Sequence, residues 1–147
     1  MVLPVKEPYR ISSPYGWRTL QGKKEFHSGI DFVSDSDSED VLAIADGIVV
    51  YDQDDYDDAL RWVDKHHSAG NMVILQHEID GQSYYVRYLH LLENTIKKGE
   101  RVNEGDVIGQ YADVGRSFGA HLHIDAYDVD WKKLDITQLF IAGGIDP

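Results

Sequence analysis

The sequence predicts a mostly β fold, a two-sheet sandwich or barrel-like arrangement with one inserted helix near residues 55–66. Three observations predict it. Short β-rich runs recur with turn signals every ten or so residues, the pattern of small all-β domains. One hairpin is written plainly: Asn71–His77 and Ser83–His90 flank Asp80-Gly81, a dipeptide suited to the left-handed backbone of a tight turn. Only one stretch, Asp55 to His66, carries apolar residues at helical spacing (Tyr56, Leu60, Val63), with acidic residues early and Lys65 and His66 late, as the helix dipole favours.

The remaining elements follow in order. Ile11–Arg18 is a short extended piece turned by Pro14 and Gly16. Phe26–Val33 reads as a strand interrupted at Ser28-Gly29. Val41–Ala45 and Ile48–Tyr51 are β-rich runs joined by an Asp46-Gly47 turn. Val102–Tyr111 contains the tight turn Asn103-Glu104-Gly105-Asp106. The stretch Gly115–Asp125 is an extended strand carrying two histidines, and Ile136–Ile141 either closes the sheet or forms a short helix.

The 147 residues suffice for one core, and no linker, repeat or composition break divides them, so residues 1–147 are read as a single domain. Apolar content of 42 % fits a globular protein, and no apolar run is long enough for a membrane span. Residues Met1–Lys6 lack a basic segment followed by an apolar one, so no signal peptide is expected. The absence of cysteine rules out disulfides and thiolate ligands. A net charge of −12 argues against nucleic-acid binding and against simple capture by an anionic surface. Much of the acid lies in two runs, Asp35–Asp40 and Asp52–Asp58, read as solvated loops.

The chemistry concentrates in histidines. His121 and His123 flank Leu122, so on a strand both rings share one face while Leu122 enters the core. His27 and Asp31 stand four apart; about 13 Å would separate them on a straight strand, and Gly29 supplies the bend that unites them. Adding one ring of the 121/123 pair gives two imidazoles and a carboxylate, three nitrogen and oxygen ligands with an open fourth position, the pattern of catalytic zinc. The other ring of that pair and His90 remain for proton transfer. Spacing alone leaves open which of His121 and His123 is the ligand.

In order and spacing these motifs resemble the lysostaphin-type (LytM-like) zinc endopeptidases of bacterial peptidoglycan. The similarity runs from Ser13-Pro14-Tyr15-Gly16-Trp17-Arg18 to about Tyr127. It includes His27 with Asp31, the Ala43–Val49 run, Gly70-Asn71 with Val73, Tyr88-Leu89-His90-Leu91, the Gly105–Gly109 turn and Gly115–Ile124. The resemblance implies a duplicated two-sheet β motif and one zinc ion per chain on His27, Asp31 and His123, with His90 and His121 catalytic. It further implies that Asn71 and His77 meet substrate, and that the partner is bacterial peptidoglycan, reached at the cell wall by a phage-encoded lytic protein or an isolated domain. Asp125 stands where the family often has Glu, Ile124 replaces the usual Phe, and Asp52–Ser68 is longer than the usual loop. The rival reading is an inactive metal-bearing module that binds wall peptides or activates a partner enzyme.

Overall fold

The computed structural model describes residues 1–147. Its strands are β1 (Tyr9–Ser13), β2 (Gly16–Leu20), β3 (Lys23–His27), β4 (Ile30–Ser34), β5 (Asp40–Leu42) and β6 (Gly47–Gln53). They continue as β7 (Asn71–Ile79), β8 (Gln82–Asn94), β9 (Arg101–Val102), β10 (Val107–Tyr111), β11 (Leu122–Tyr127) and β12 (Lys133–Leu134), followed by α1 (Ile136–Ala142). Ten strands form one sheet, seven along the path β1-β4-β11-β8-β7-β6-β9 with β5, β10 and β12 paired off it, and β2 and β3 form a separate two-stranded sheet. The fold is therefore mostly β with two sheets. The large sheet does not close into a barrel, because β1 and β9 end its path without pairing to each other.

The hairpin forms as its turn residues dictate: Asp80 and Gly81 take φ of 53° and 78°, and β7 pairs with β8 from Ile79↔Gln82 onward. The Asp46-Gly47 turn does not make a second hairpin. β5 pairs with β10, while β6 pairs with β7 and β9. The inserted segment also differs from expectation. Residues 55–66 hold two single 3-10 turns, Asp58–Leu60 and Lys65–His67, capped by Asp57 and Asp64, instead of one continuous helix. The aspartates that suggested a dipole-matched helix cap these turns and pair outward, Asp55 with His66 and Asp54 with Lys97. The α-helix is α1, where the Asp135 side chain accepts the Thr137 N–H.

One edge of β8 carries β7 along its length. Its other edge changes partner, pairing with β11 through Tyr85–Leu89 and with β10 from Leu91 to Asn94. His90 sits at the change-over with φ of 64°, beside register shifts against both β7 and β10. Val86 and Tyr88 face the core, and so does Leu91, so the extra residue reverses the alternation and turns His90 outward. A 24-residue apolar cluster lies inside, built in part from Ile30 and Phe32 of β4 and Leu122, Ile124 and Ala126 of β11. Strand alternation puts Asp31 and His123 on the opposite face of those strands.

His77 belongs to the core, not to the substrate cleft. It is 0 % exposed; its Nδ1–H donates to the Asp46 carbonyl (3.0 Å) and its Nε2 accepts from the Tyr88 hydroxyl (2.9 Å). Tyr88 Oη in turn accepts the Ile44 N–H at 3.1 Å. This satisfied chain ties the 44–47 turn to the central hairpin. Burial pushes the His77 pKa down to about 4. Between pH 6.5 and 4 the unfolded chain therefore binds more protons at His77 than the folded one. The stabilisation is complete above pH 6.5 and is lost as pH falls, by about 2 kcal/mol between pH 7 and 5. Denaturant unfolding at those two pH values should show this loss, with a flatter pH dependence in His77→Phe; equal slopes in the two proteins would contradict it.

Candidate metal centre and cleft

His27 is the last residue of β3, and Asp31 is the second residue of β4 in the large sheet, so the Ser28-Gly29 break carries the chain from one sheet to the other. Asp31 lies directly opposite His123 in the β4–β11 ladder. The three side chains converge. His27 Nε2 is 3.2 Å from His123 Nδ1 and 3.3 Å from Asp31 Oδ1, and His123 Nδ1 is 3.0 Å from that oxygen.

Their outer partners fix how the rings are turned. His27 Nδ1 donates to the Pro14 carbonyl at 2.9 Å, leaving Nε2 to face the cluster. His123 Nε2 donates to Asp125 Oδ2 at 2.9 Å, leaving Nδ1 to face Asp31. Burial pushes the His123 pKa down, but Asp125 and Asp31 raise it above its ordinary value. Two ring nitrogens and a carboxylate oxygen thus face one another, a set that needs a cation, proton or metal, between its members. Zinc ligands about 2.0–2.1 Å from the ion at tetrahedral angles stand about 3.3 Å apart, close to the spacings here. The donor set and its geometry therefore fit a divalent metal, and these three residues form a cluster able to hold one.

The support beneath the cluster is buried and charged. Asp125, 0 % exposed, takes two bonds from its cross-strand neighbour Arg87 (2.8 and 2.7 Å), one from Lys133 (3.0 Å) and one from His123. Burial pushes the Asp125 carboxyl up, but Arg87 and His123 hold it well below the usual range. It therefore acts as an acceptor that orients His123. Asp31 is likewise held low against the effect of burial, by His123 and His27.

His90 and His121 complete the constellation, with ring centroids 4.7 Å apart. His90 Nδ1 donates to the Val114 carbonyl (2.8 Å) and His121 Nδ1 to the Gly119 carbonyl (2.9 Å), so both have a free Nε2. His121 Nε2 lies 3.7 Å from Asp31 Oδ1. Burial, and then the neighbouring imidazoles, push the His90 pKa down to about 3, which keeps that ring neutral. Its left-handed backbone is braced: the N–H donates to Ala69 O (2.7 Å) and the carbonyl accepts from Ala112 N (3.0 Å). All five residues line one cleft of about 710 Å³ between the β2–β3 hairpin and the 116–121 loop.

The structure thus brings together His27, Asp31, His90, His121 and His123, and leaves out two residues the resemblance singled out. His77 is in the core. Asn71 is buried, with its amide consumed in bracing: Oδ1 accepts from Tyr56 N and Nδ2 donates to Leu92 O, both at 3.0 Å. It ties the insertion to β8. Sequence reasoning missed Asp125 and Arg87 as supports. Asp125 was legible in the period-two spacing from His123, whereas Arg87 depended on the register of a distant strand. It also missed Arg61 of the insertion, which donates to the carbonyls of Gly115 (2.5 Å) and Ser117 (2.9 Å) and pairs with Asp113.

With this geometry in hand, comparison with known proteins is informative. The sequence matches the family described as Peptidase family M23 over residues 25–135. The chain belongs to that family. It is 35 % identical over 125 residues to the peptidoglycan DD-endopeptidase ShyA of Vibrio cholerae, covering 83 % of this chain and 26 % of that protein. Among solved structures it is similar to a zinc-containing peptidase from Vibrio cholerae (30 % identity, TM-score 0.67, 97 % of this chain, 39 % of that one). It is also similar to the catalytic domain of the antimicrobial peptidase lysostaphin from Staphylococcus simulans (26 % identity, TM-score 0.65, 89 % and 92 %). The chain spans about a quarter of the length of the curated relatives it matches.

A glycine decides whether the cluster can assemble. A Cβ at Gly29 would meet His123 Cε1 at 2.5 Å and the Ile124 carbonyl at 2.6 Å, so any side chain there displaces the His123 ring. Gly29→Ala should fold yet lose bound metal on dialysis, although every ligand side chain is retained. Full metal occupancy in that variant, measured by elemental analysis, would refute the arrangement.

Proposed function

We propose that this chain is a zinc-dependent endopeptidase that hydrolyses peptide cross-links or stem peptides of bacterial peptidoglycan, acting on the extracytoplasmic side as a single metallopeptidase domain of the duplicated two-sheet type. One observation carries the reading: a His27–Asp31–His123 cluster with metal-ligand spacing lies in an open cleft, beside two imidazoles whose Nε2 atoms are free. His27, Asp31 and His123 would hold one zinc ion, which when bound would lower the pKa of a water and polarise a carbonyl.

The chain's own groups handle the proton. The substrate amide lies along the cleft with its carbonyl over the cluster. His90 and His121 flank it, and an imidazole Nε2 accepts the proton of the attacking water. That proton returns to the amine as the C–N bond breaks, so one peptide bond and one water become a carboxylic acid and an amine. The backbone carbonyls of Val114 and Gly119 fix both rings in the tautomer this requires. The identity to a DD-endopeptidase and the likeness to lysostaphin's catalytic domain support wall peptides as the substrate class.

The test pairs metal content with amine release from purified peptidoglycan. His90→Asn suits the left-handed backbone better than alanine. It should keep about one zinc per chain and lose roughly 100-fold or more of the release. Zinc retained by the wild type with no amine released would favour the inactive binding module instead.

A further inference from the structure

Although the chain carries a net charge of −12, one side of its cleft is lined by cations. A second lobe of about 510 Å³ joins the main cleft at His90, His123 and Arg116. Lys65, Arg87 and Arg116 line it, and no aspartate or glutamate does. Arg87 is committed to Asp125 at 2.7 Å. Lys65 and Arg116 are exposed and make no ion pair, and Asp64 beside Lys65 is turned away to accept the His66 N–H at 2.9 Å.

We propose that Lys65 and Arg116 form a carboxylate-binding subsite, and that the preferred substrate is a peptide with a free carboxylate near the amide that is cut. This rests on the peptide-cleaving reading of the cleft. A guanidinium offers paired donors to a planar carboxylate, and an ammonium adds a point charge that tolerates a range of positions.

The two cations are mounted on segments locked together. Arg116 N donates to Ser68 O at 2.8 Å, and a Cβ at Gly115 would meet Ser68 O and Gly70 N at 2.5 Å. Arg61 clamps the same loop through Gly115 O and Ser117 O, and Trp62 stacks on Phe118 at 5.3 Å. The insertion thus does two things: it stiffens the loop that carries Arg116 and His121, and it brings Lys65 to the cleft.

The probes are N-acetyl-D-alanine and its amide, which differ only in the carboxylate and contain no bond between residues to cut. NMR titration of the metal-loaded chain should show the acid binding about tenfold more tightly than the amide, an advantage that shrinks with salt. Lys65→Gln and Arg116→Gln should each reduce that ratio, and the double variant should bring it near one at unchanged metal content. A wild-type ratio near one, no detectable binding of the acid, or a ratio unchanged in the double variant (as direct capture by the metal would give) overturns the subsite. Amine release from peptidoglycan separates the two readings. Release without a carboxylate preference rejects only the subsite, whereas the preference without release rejects only the proposed activity.

Discussion

Two ring nitrogens and a carboxylate oxygen held 3.0 to 3.3 Å apart are the constraint to which the rest of the structure answers. Ligand atoms so close need a cation, proton or metal, between them, and without one free side chains would swing apart. Here they cannot. Asp31 and His123 are opposed in a ladder whose other face is core, His27 is anchored on Pro14, and His123 is backed by Asp125, itself held by Arg87 and Lys133. Burying the Asp125 carboxylate would be costly alone; with its acceptor sites taken by hydrogen-bonded cations it becomes a rigid support.

The sheet's change of partner serves the same site. β8 passes from β11 to β10 at His90, and the left-handed residue there turns its ring into the cleft beside His121. Such backbone costs about 1–3 kcal/mol, and the hydrogen bonds to Ala69 and Ala112 offset it. Fixing ring tautomers through backbone carbonyls, as at His27, His90 and His121, makes each one's hydrogen placement a property of the fold and not of the surrounding solution.

Much of this was readable from the residues. The Asp80-Gly81 hairpin follows from the backbone its turn residues favour, and the bend at Gly29 from the distance a straight strand would impose. The histidines' assignment came from resemblance, since spacing could not separate His121 from His123. What escaped was non-local. The aspartates of 54–58 suit a helix N-terminus and also suit caps and outward ion pairs; tertiary packing, through Asn71 and Arg61, selects two 3-10 turns. His77 sits on a strand like His27, His90 and His123, and only its pairing with Tyr88 and Asp46 reveals a core residue. Arg87 became a support through the register of β8 against β11.

The insertion departs most from the family resemblance, and it is attached to the 115–117 loop, not merely appended to the surface. It contributes no residue to the metal cluster, so the central claim can be tested apart from specificity. Zinc-edge X-ray absorption on the purified chain is the most direct measurement. The account predicts one zinc per chain with only nitrogen and oxygen ligands at about 2.0–2.1 Å, and loss of that signal in Asp31→Ala. A chain that takes up no zinc, or an unaltered spectrum in Asp31→Ala, would contradict it.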